Sequence, residues 1–458
     1  MKKTIQNLIG LIIAVATLSA CATGIVPVKT LSPPLNELSD PVSVVDVDGH
    51  QHIVGVYNDR IYYVETLLNN QVRTKAFQQN TGWIQKSPDI AVQDNKKLWF
   101  VWIEENSTTH ELKACQFPLA EGSIATIGCV PIAASTHTNG LIRVVSRGNT
   151  AYAVWDVPAP QSALRYRVLG SVVEGTVAWY NWGGGEQGII DYLDLAIDAN
   201  QKLHIVWVDH TSASSYITKY NSNVVTGDFN AMQQLAMLSS SSDSPETSPQ
   251  LSFHKFSLVE NVVIGEIKWS DRIYFYWLPT TGWVDSSDIG FTWKQFPAGW
   301  ELQDIDVLGY SPSGDPDVGI IAIPDGETYP QVYTWNYPFT AGGYQALTSS
   351  STEKIDLHMV HGTASYPVIG WMEYVIVQTS PPVVITFESS AAYVYELLDG
   401  VRLVNSAFCS PDNGRKAWLT SNLLTNLDYT PVAGVWRQCR ETWVGSNAHV
   451  AFLPLINK

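Results

Sequence analysis

The sequence predicts an all-β fold, a single β-propeller of eight four-stranded blades, on three observations. Short β-prone runs that end in Trp followed by an acidic residue recur at intervals of about 50 residues. Each run has another β-prone run before it and a third after it, with turn residues between them. The chain has 458 residues, 17 Trp, 21 Tyr and only 15% charged residues, and that length suits one domain only if the domain is repetitive. Four antiparallel strands per period, stacked around an axis, satisfy all three. Seven blades is the alternative, because the last copy, from Val401 to Lys458, is irregular.

The copies follow in order. PVSVVDV and QHIVGVYND open the series, with Gly55 where later copies carry Trp. PDIAVQD with KLWFVWIEE, LIRVVSR with TAYAVWDVP, LDLAIDA with KLHIVWVDH, and PQLSFHK with VVIGEIKWSD come next. QDIDVLG with VGIIAIPD is a copy without its Trp. KIDLHMV with YPVIGWME and VRLVNSA with RKAWLT finish the set. Trp102, Trp155, Trp207, Trp269, Trp371 and Trp418 are separated by 53, 52, 62, 102 and 47 residues, and the long interval holds the copy without Trp. A large ring at a fixed strand position is what stacked sheets need, so these indoles are read as packing between blades. His52 aligns with Trp99, Tyr152 and His204 and is read the same way, which leaves the His50–His52 pair as packing and not as a metal site. No cofactor and no metal is expected.

The chain begins with Lys2, Lys3 and the apolar run LIGLIIAVATL, too short for a permanent membrane span. LSAC, Leu18 to Cys21, resembles the lipobox of bacterial lipoproteins. The resemblance implies cleavage before Cys21 and attachment of lipid to its sulfur. Residues 1–20 are then a signal peptide, 21–39 a lipid-anchored tether carrying Pro33 and Pro34, and 40–458 the propeller. Ala22 resembles the sorting residue of outer-membrane lipoproteins, which implies an outer-membrane location in the cell envelope, on a side that the sequence leaves open. No other apolar stretch approaches about 18 residues, so membrane contact is through the anchor only.

The remaining cysteines, Cys115, Cys129, Cys409 and Cys439, allow three pairings in an oxidising compartment. Sequence proximity and the blade pattern favour Cys115–Cys129 and Cys409–Cys439. A formal charge of −16 argues against a nucleic-acid partner.

SSDIGFTW, Ser286 to Trp293, fits the pattern S-x-D-x-G-x-T-W and resembles the Asp-box of sialidase-like propellers. The resemblance implies a structural turn between the third and fourth strands of blade five. Asp288 bonds the following backbone, Gly290 supplies φ > 0, Trp293 packs between strands, and Ser286 and Thr292 complete the box. Sialidases of this architecture also use three arginines and a tyrosine nucleophile. Arg143 in GLIRVV is the nearest counterpart of the first arginine motif and lacks its proline.

Acidic residues close the second strand in seven copies: Asp59, Glu104, Asp156, Asp209, Asp271, Asp325 and Glu373. Second-to-third turns open on one face of a propeller, so these carboxylates are expected to form an acidic binding face. Trp182, in the Gly-rich connection YNWGGGEQG, is a further candidate contact. The function expected is a non-catalytic envelope binding module for a protein or glycan. The alternative is a glycoside hydrolase of sialidase-like architecture, which would need a pair of carboxylates.

Overall fold

The computed structural model describes the strands between residues 29 and 446 and some of the turns joining them. The longest stretches outside the description are 1–28, 31–37, 120–128, 180–188, 224–235, 242–249, 280–289, 309–316, 375–382, 386–395, 404–415, 422–431 and 447–458. Among the described residues, blades one to six are four-stranded antiparallel meanders in chain order. They run from Ser39–Val45, Gln51–Tyr57, Arg60–Thr66 and Val72–Ala76 in blade one to Glu301–Leu308, Asp317–Ile323, Gln331–Asn336 and Tyr344–Ala346 in blade six. The innermost strand of each blade packs against the innermost strand of the next. Lys416–Ser421 of blade eight meets Ser39–Val45 of blade one, and the ring closes. The fold is a β-propeller.

Alternation along each strand sends side chains to both neighbouring blades. Trp102 is buried among Val54, Ile61 and Phe77 of the preceding blade. Trp155 packs with Val101 and Ile103, and Trp207 with Tyr152 and Val154, so the repeated indole fills the blade junctions as the repeat predicts. At the junction of blades five and six, where the repeat has lost its Trp, Trp335 arrives from the third strand. It packs with Phe275 and Phe296 under the Lys294 ammonium, 5.0 Å from the ring centre.

Neighbouring inner strands share no ladder, and aspartates fill that gap. Asp89 accepts from the N–H of Ile90 (2.9 Å) and from that of Val144 in the next blade (2.8 Å). Asp304 joins Ile305 to Leu357, both at 2.8 Å, and Asp306 joins Val307 to Met359, both at 2.7 Å. Each carboxylate satisfies a backbone donor on both sides of a blade junction. The aspartates of PDIAV and QDIDV are therefore ring staples.

Blades seven and eight depart from the sequence expectation. RKAWLT forms the innermost strand of blade eight, Lys416–Ser421, and not its second strand. The second is Val432–Gln438, which carries Trp436, and the third is Glu441–Ser446. The fourth comes from the start of the chain: Lys29–Thr30 pairs antiparallel, Lys29 with Val444 and Thr30 with Trp443. Part of the segment read as a tether thus belongs to the last sheet, and that pairing ties the two ends of the ring together. Of VRLVNSA, the described residues Val401–Leu403 pair with Val383–Ile385 in a separate ribbon. In blade seven, Glu353–His361 and Pro367–Tyr374 pair as expected, but Glu396–Leu397 joins the latter in parallel.

At the opposite end of the second strands, register places His52, Trp99, Tyr152 and His204 in one equivalent position, facing Val44, Ala91, Val145 and Ala196. His52 lies between the Tyr63 hydroxyl (2.6 Å) and Asp46 (3.3 Å), and His204 between Tyr220 (2.6 Å) and Asp198 (3.5 Å). His50 also converges on Asp46, at 3.2 Å. Burial alone would raise the Asp46 carboxyl, yet hydrogen bonds from His50 and His52, with their charge, hold it well below the usual carboxylate range. A carboxylate depressed in the folded state stabilises above its unfolded value and loses that contribution as pH falls through the folded one. Asp46→Asn is therefore expected to cost about 2 kcal/mol at neutral pH, with the difference from the parent closing in strong acid. Urea midpoints of the two proteins across the acid range check this.

Candidate functional site

The strands of a blade alternate in direction, so second-to-third turns and connections between blades share one face of the ring. The seven acidic residues at the ends of the second strands lie there, but the six whose side chains are described do not form one exposed rim. Glu104, Asp156, Asp209 and Glu373 belong to the strands themselves, Lys97–Glu105, Thr150–Val157, Leu203–Ser212 and Pro367–Tyr374. Glu104 is fully buried, ion-paired with Lys113 at 2.6 Å, and accepts from the N–H of Asn80. Asp209 is fully buried against Lys219 of the third strand, itself only 2% exposed. Asp156 is buried and accepts from the N–H of Leu141 at 3.1 Å. Glu373 stands opposite Lys354 in the blade-seven ladder. Inside a packed blade a charge must be paired, and the strand ends provide the partners.

The other three sit in turns. Asn58 and Asp59, with φ of 48° and 60°, form the two-residue hairpin turn of blade one, and the Asp59 carbonyl accepts from the N–H of Gln85. Asp271 accepts from the Gln295 amide at 3.0 Å. Asp325 is different: it is exposed, and no described group hydrogen-bonds to its carboxylate.

Two turns of the same design set the surroundings of Asp325. In Pro297-Ala298-Gly299-Trp300 the Trp300 N–H donates to the Pro297 carbonyl at 3.1 Å, with Gly299 at φ +85°. In Pro324-Asp325-Gly326-Glu327 the Glu327 N–H donates to the Pro324 carbonyl at 3.0 Å, with Gly326 at φ +77°. Both have the hydrogen bond and third-position glycine of a type II turn. They abut: a Cβ on Gly299 would lie 2.6 Å from the Asp325 carboxyl carbon. Glycine is required there on two counts, the positive φ and the close approach.

Trp300 is half-buried, its ring centre 5.0 Å from Tyr333, 5.2 Å from Tyr344 and 5.7 Å from Phe296. Tyr329, two residues past Glu327, is exposed. Burial, then the neighbouring Tyr344 and the charge of Glu327, push the Tyr333 phenol up to about 12, so it stays a neutral hydroxyl. The patch joins an aromatic floor to a carboxylate held on rigid turns. The sequence carried the signal in two Pro-x-Gly tetrapeptides, PAGW and PDGE, whose joining in space it does not show.

Ser286 and Asp288 of the octapeptide, and Trp182, lie outside the described residues. Gly290 does not close a turn with positive φ. It opens the fourth strand of blade five, Gly290–Gln295, opposite Trp277. Thr292 pairs with Phe275 in that ladder. Trp293 does not pack between strands. It is 48% exposed, with the Arg272 guanidinium 5.4 Å from its ring centre, because the strand's other face, through Lys294, turns toward blade six. Cys115 and Cys129 form a disulfide, whereas Cys21, Cys409 and Cys439 lie outside the described residues.

No protein-family profile matches the chain, and no curated protein matches it. Among solved structures, the Dos1 propeller is similar over 92% of this chain and 94% of its own, at 9% identity and a TM-score of 0.47. The polysaccharide lyase PL25, an ulvan lyase, is similar over 92% and 94% at 8% identity with a TM-score of 0.40. The α-L-arabinanase of Penicillium chrysogenum complexed with arabinobiose is similar over 81% and 96% at 8% identity with a TM-score of 0.38. Likenesses of this size carry no argument about ligand or activity.

Proposed function

We propose that this chain is a binding module of the cell envelope, lipid-anchored through Cys21 at the outer membrane, whose propeller face binds a glycan without cleaving it. The observation that supports it best is Asp325: an exposed carboxylate to which no described group hydrogen-bonds, held against the turn that carries the half-exposed Trp300. A site spread over a preformed surface favours recognition, because little ordering entropy is lost on binding. The anchor reading rests on LSAC and on position. Lys29, in the last sheet, follows Cys21 by eight residues, a reach of about 27 Å at most. Such a tether keeps blade eight near the bilayer.

Two measurements test this function. Incubation with neutral oligosaccharides should give saturable binding with every sugar recovered intact, whereas protein-dependent release of new reducing ends would establish the hydrolase instead. Cys21→Ala is expected to move the protein from the detergent to the aqueous phase on partition, since acyl chains contribute about 0.8 kcal/mol per buried methylene. Retention of that variant in detergent would refute the anchor.

A further inference from the structure

Building on the glycan-binding function, we propose that the twin turns of blade six, Pro297–Trp300 and Pro324–Glu327, form a subsite for a neutral saccharide residue, with Asp325 accepting hydroxyl hydrogens and Trp300 contacting the ring's C–H groups.

Ionised aspartate is acceptor-only, so its natural partners are O–H or N–H donors. A carboxylate bonding a neutral hydroxyl gives a short, charge-assisted bond, and two oxygens can take two adjacent hydroxyls. Trp300, next in the chain to the Gly299 that abuts Asp325, supplies the complementary apolar contact.

Charge narrows the ligand. Asp325 and Glu327 are both exposed carboxylates in one turn, so a sulfated or uronic sugar would meet repulsion from both. A quaternary ammonium would need ring faces arranged around an opening. Here the rings of Trp300, Tyr333 and Tyr344 pack on one another tilted or edge to face, at 5.0–5.8 Å, which leaves no space between them for a cation. A neutral polyol ring suits the edge of this floor.

The geometry also gives the subsite a single mechanical dependency. Asp325 is positioned against the bare Gly299 backbone, so a methyl group there displaces the carboxylate directly.

The test uses the mature chain on an array of neutral oligosaccharides printed beside sulfated and uronic ones. Retention on neutral spots is expected. Asp325→Asn, which alters an exposed side chain and leaves the fold intact, should weaken it at least ten-fold, and Gly299→Ala should do the same. Asp59→Asn, on the same face in blade one, should leave it unchanged. Neutral binding indifferent to Asp325→Asn would overturn the subsite while leaving the glycan-binding function standing. Retention confined to anionic sugars would overturn the subsite chemistry. Binding to no oligosaccharide would overturn both.

Discussion

Asp209→Ala is expected to lower stability by about 3–5 kcal/mol, the largest loss of any single carboxylate on this face. Asp209 is 0% exposed, and its partner Lys219, on the adjacent strand, is 2% exposed. Removing the carboxylate leaves an ammonium in the interior of blade four without its counter-ion. A buried pair is costly to break but not costly to replace, because two apolar side chains of similar volume also avoid desolvating charge. Asp209→Leu combined with Lys219→Met should therefore recover most of the loss. Guanidinium midpoints of the single and double variants measure this. A single substitution within 1 kcal/mol of the parent would show the pair open to water.

Cys129→Ser should cost roughly 3 kcal/mol, the value for closing a loop of this length in the unfolded chain. Cys115 lies on the third strand of blade two and Cys129 immediately before the fourth, with Cα atoms 4.4 Å apart and a sequence separation of 14. The ladder places their neighbours Ala114 and Val130 directly opposite, so the bridge staples the outermost strand to its blade. Thermal unfolding of the variant against the parent gives the loss. Peptide mapping without reductant should return the Cys115–Cys129 pair, and a bridge to Cys409 or Cys439 would contradict the blade boundaries.

Most of the fold was legible because each blade announces itself locally. An inner strand such as PDIAV and a second strand such as KLWFVW lie a few residues apart and pair with each other. Blade eight was not legible, because its fourth strand pairs Lys29 with Val444 and no local pattern connects segments that far apart. The burial of Glu104 and Asp209 was legible in hindsight. Each lies two residues after a buried Trp, and alternate residues share a face, so the acid follows the indole inward. Asp325 escapes that rule because its strand ends at Ile323 and the carboxylate falls in the turn. The site itself was not legible, since PAGW and PDGE are brought side by side only when blade six folds.

Hydrogen exchange tests most directly whether a neutral glycan binds on the twin turns of blade six. Protein saturated with a neutral oligosaccharide drawn from the array should show slowed amide exchange in peptides covering 297–302 and 324–329, with blade one unchanged. Protection absent from those peptides and present elsewhere on the ring would contradict it.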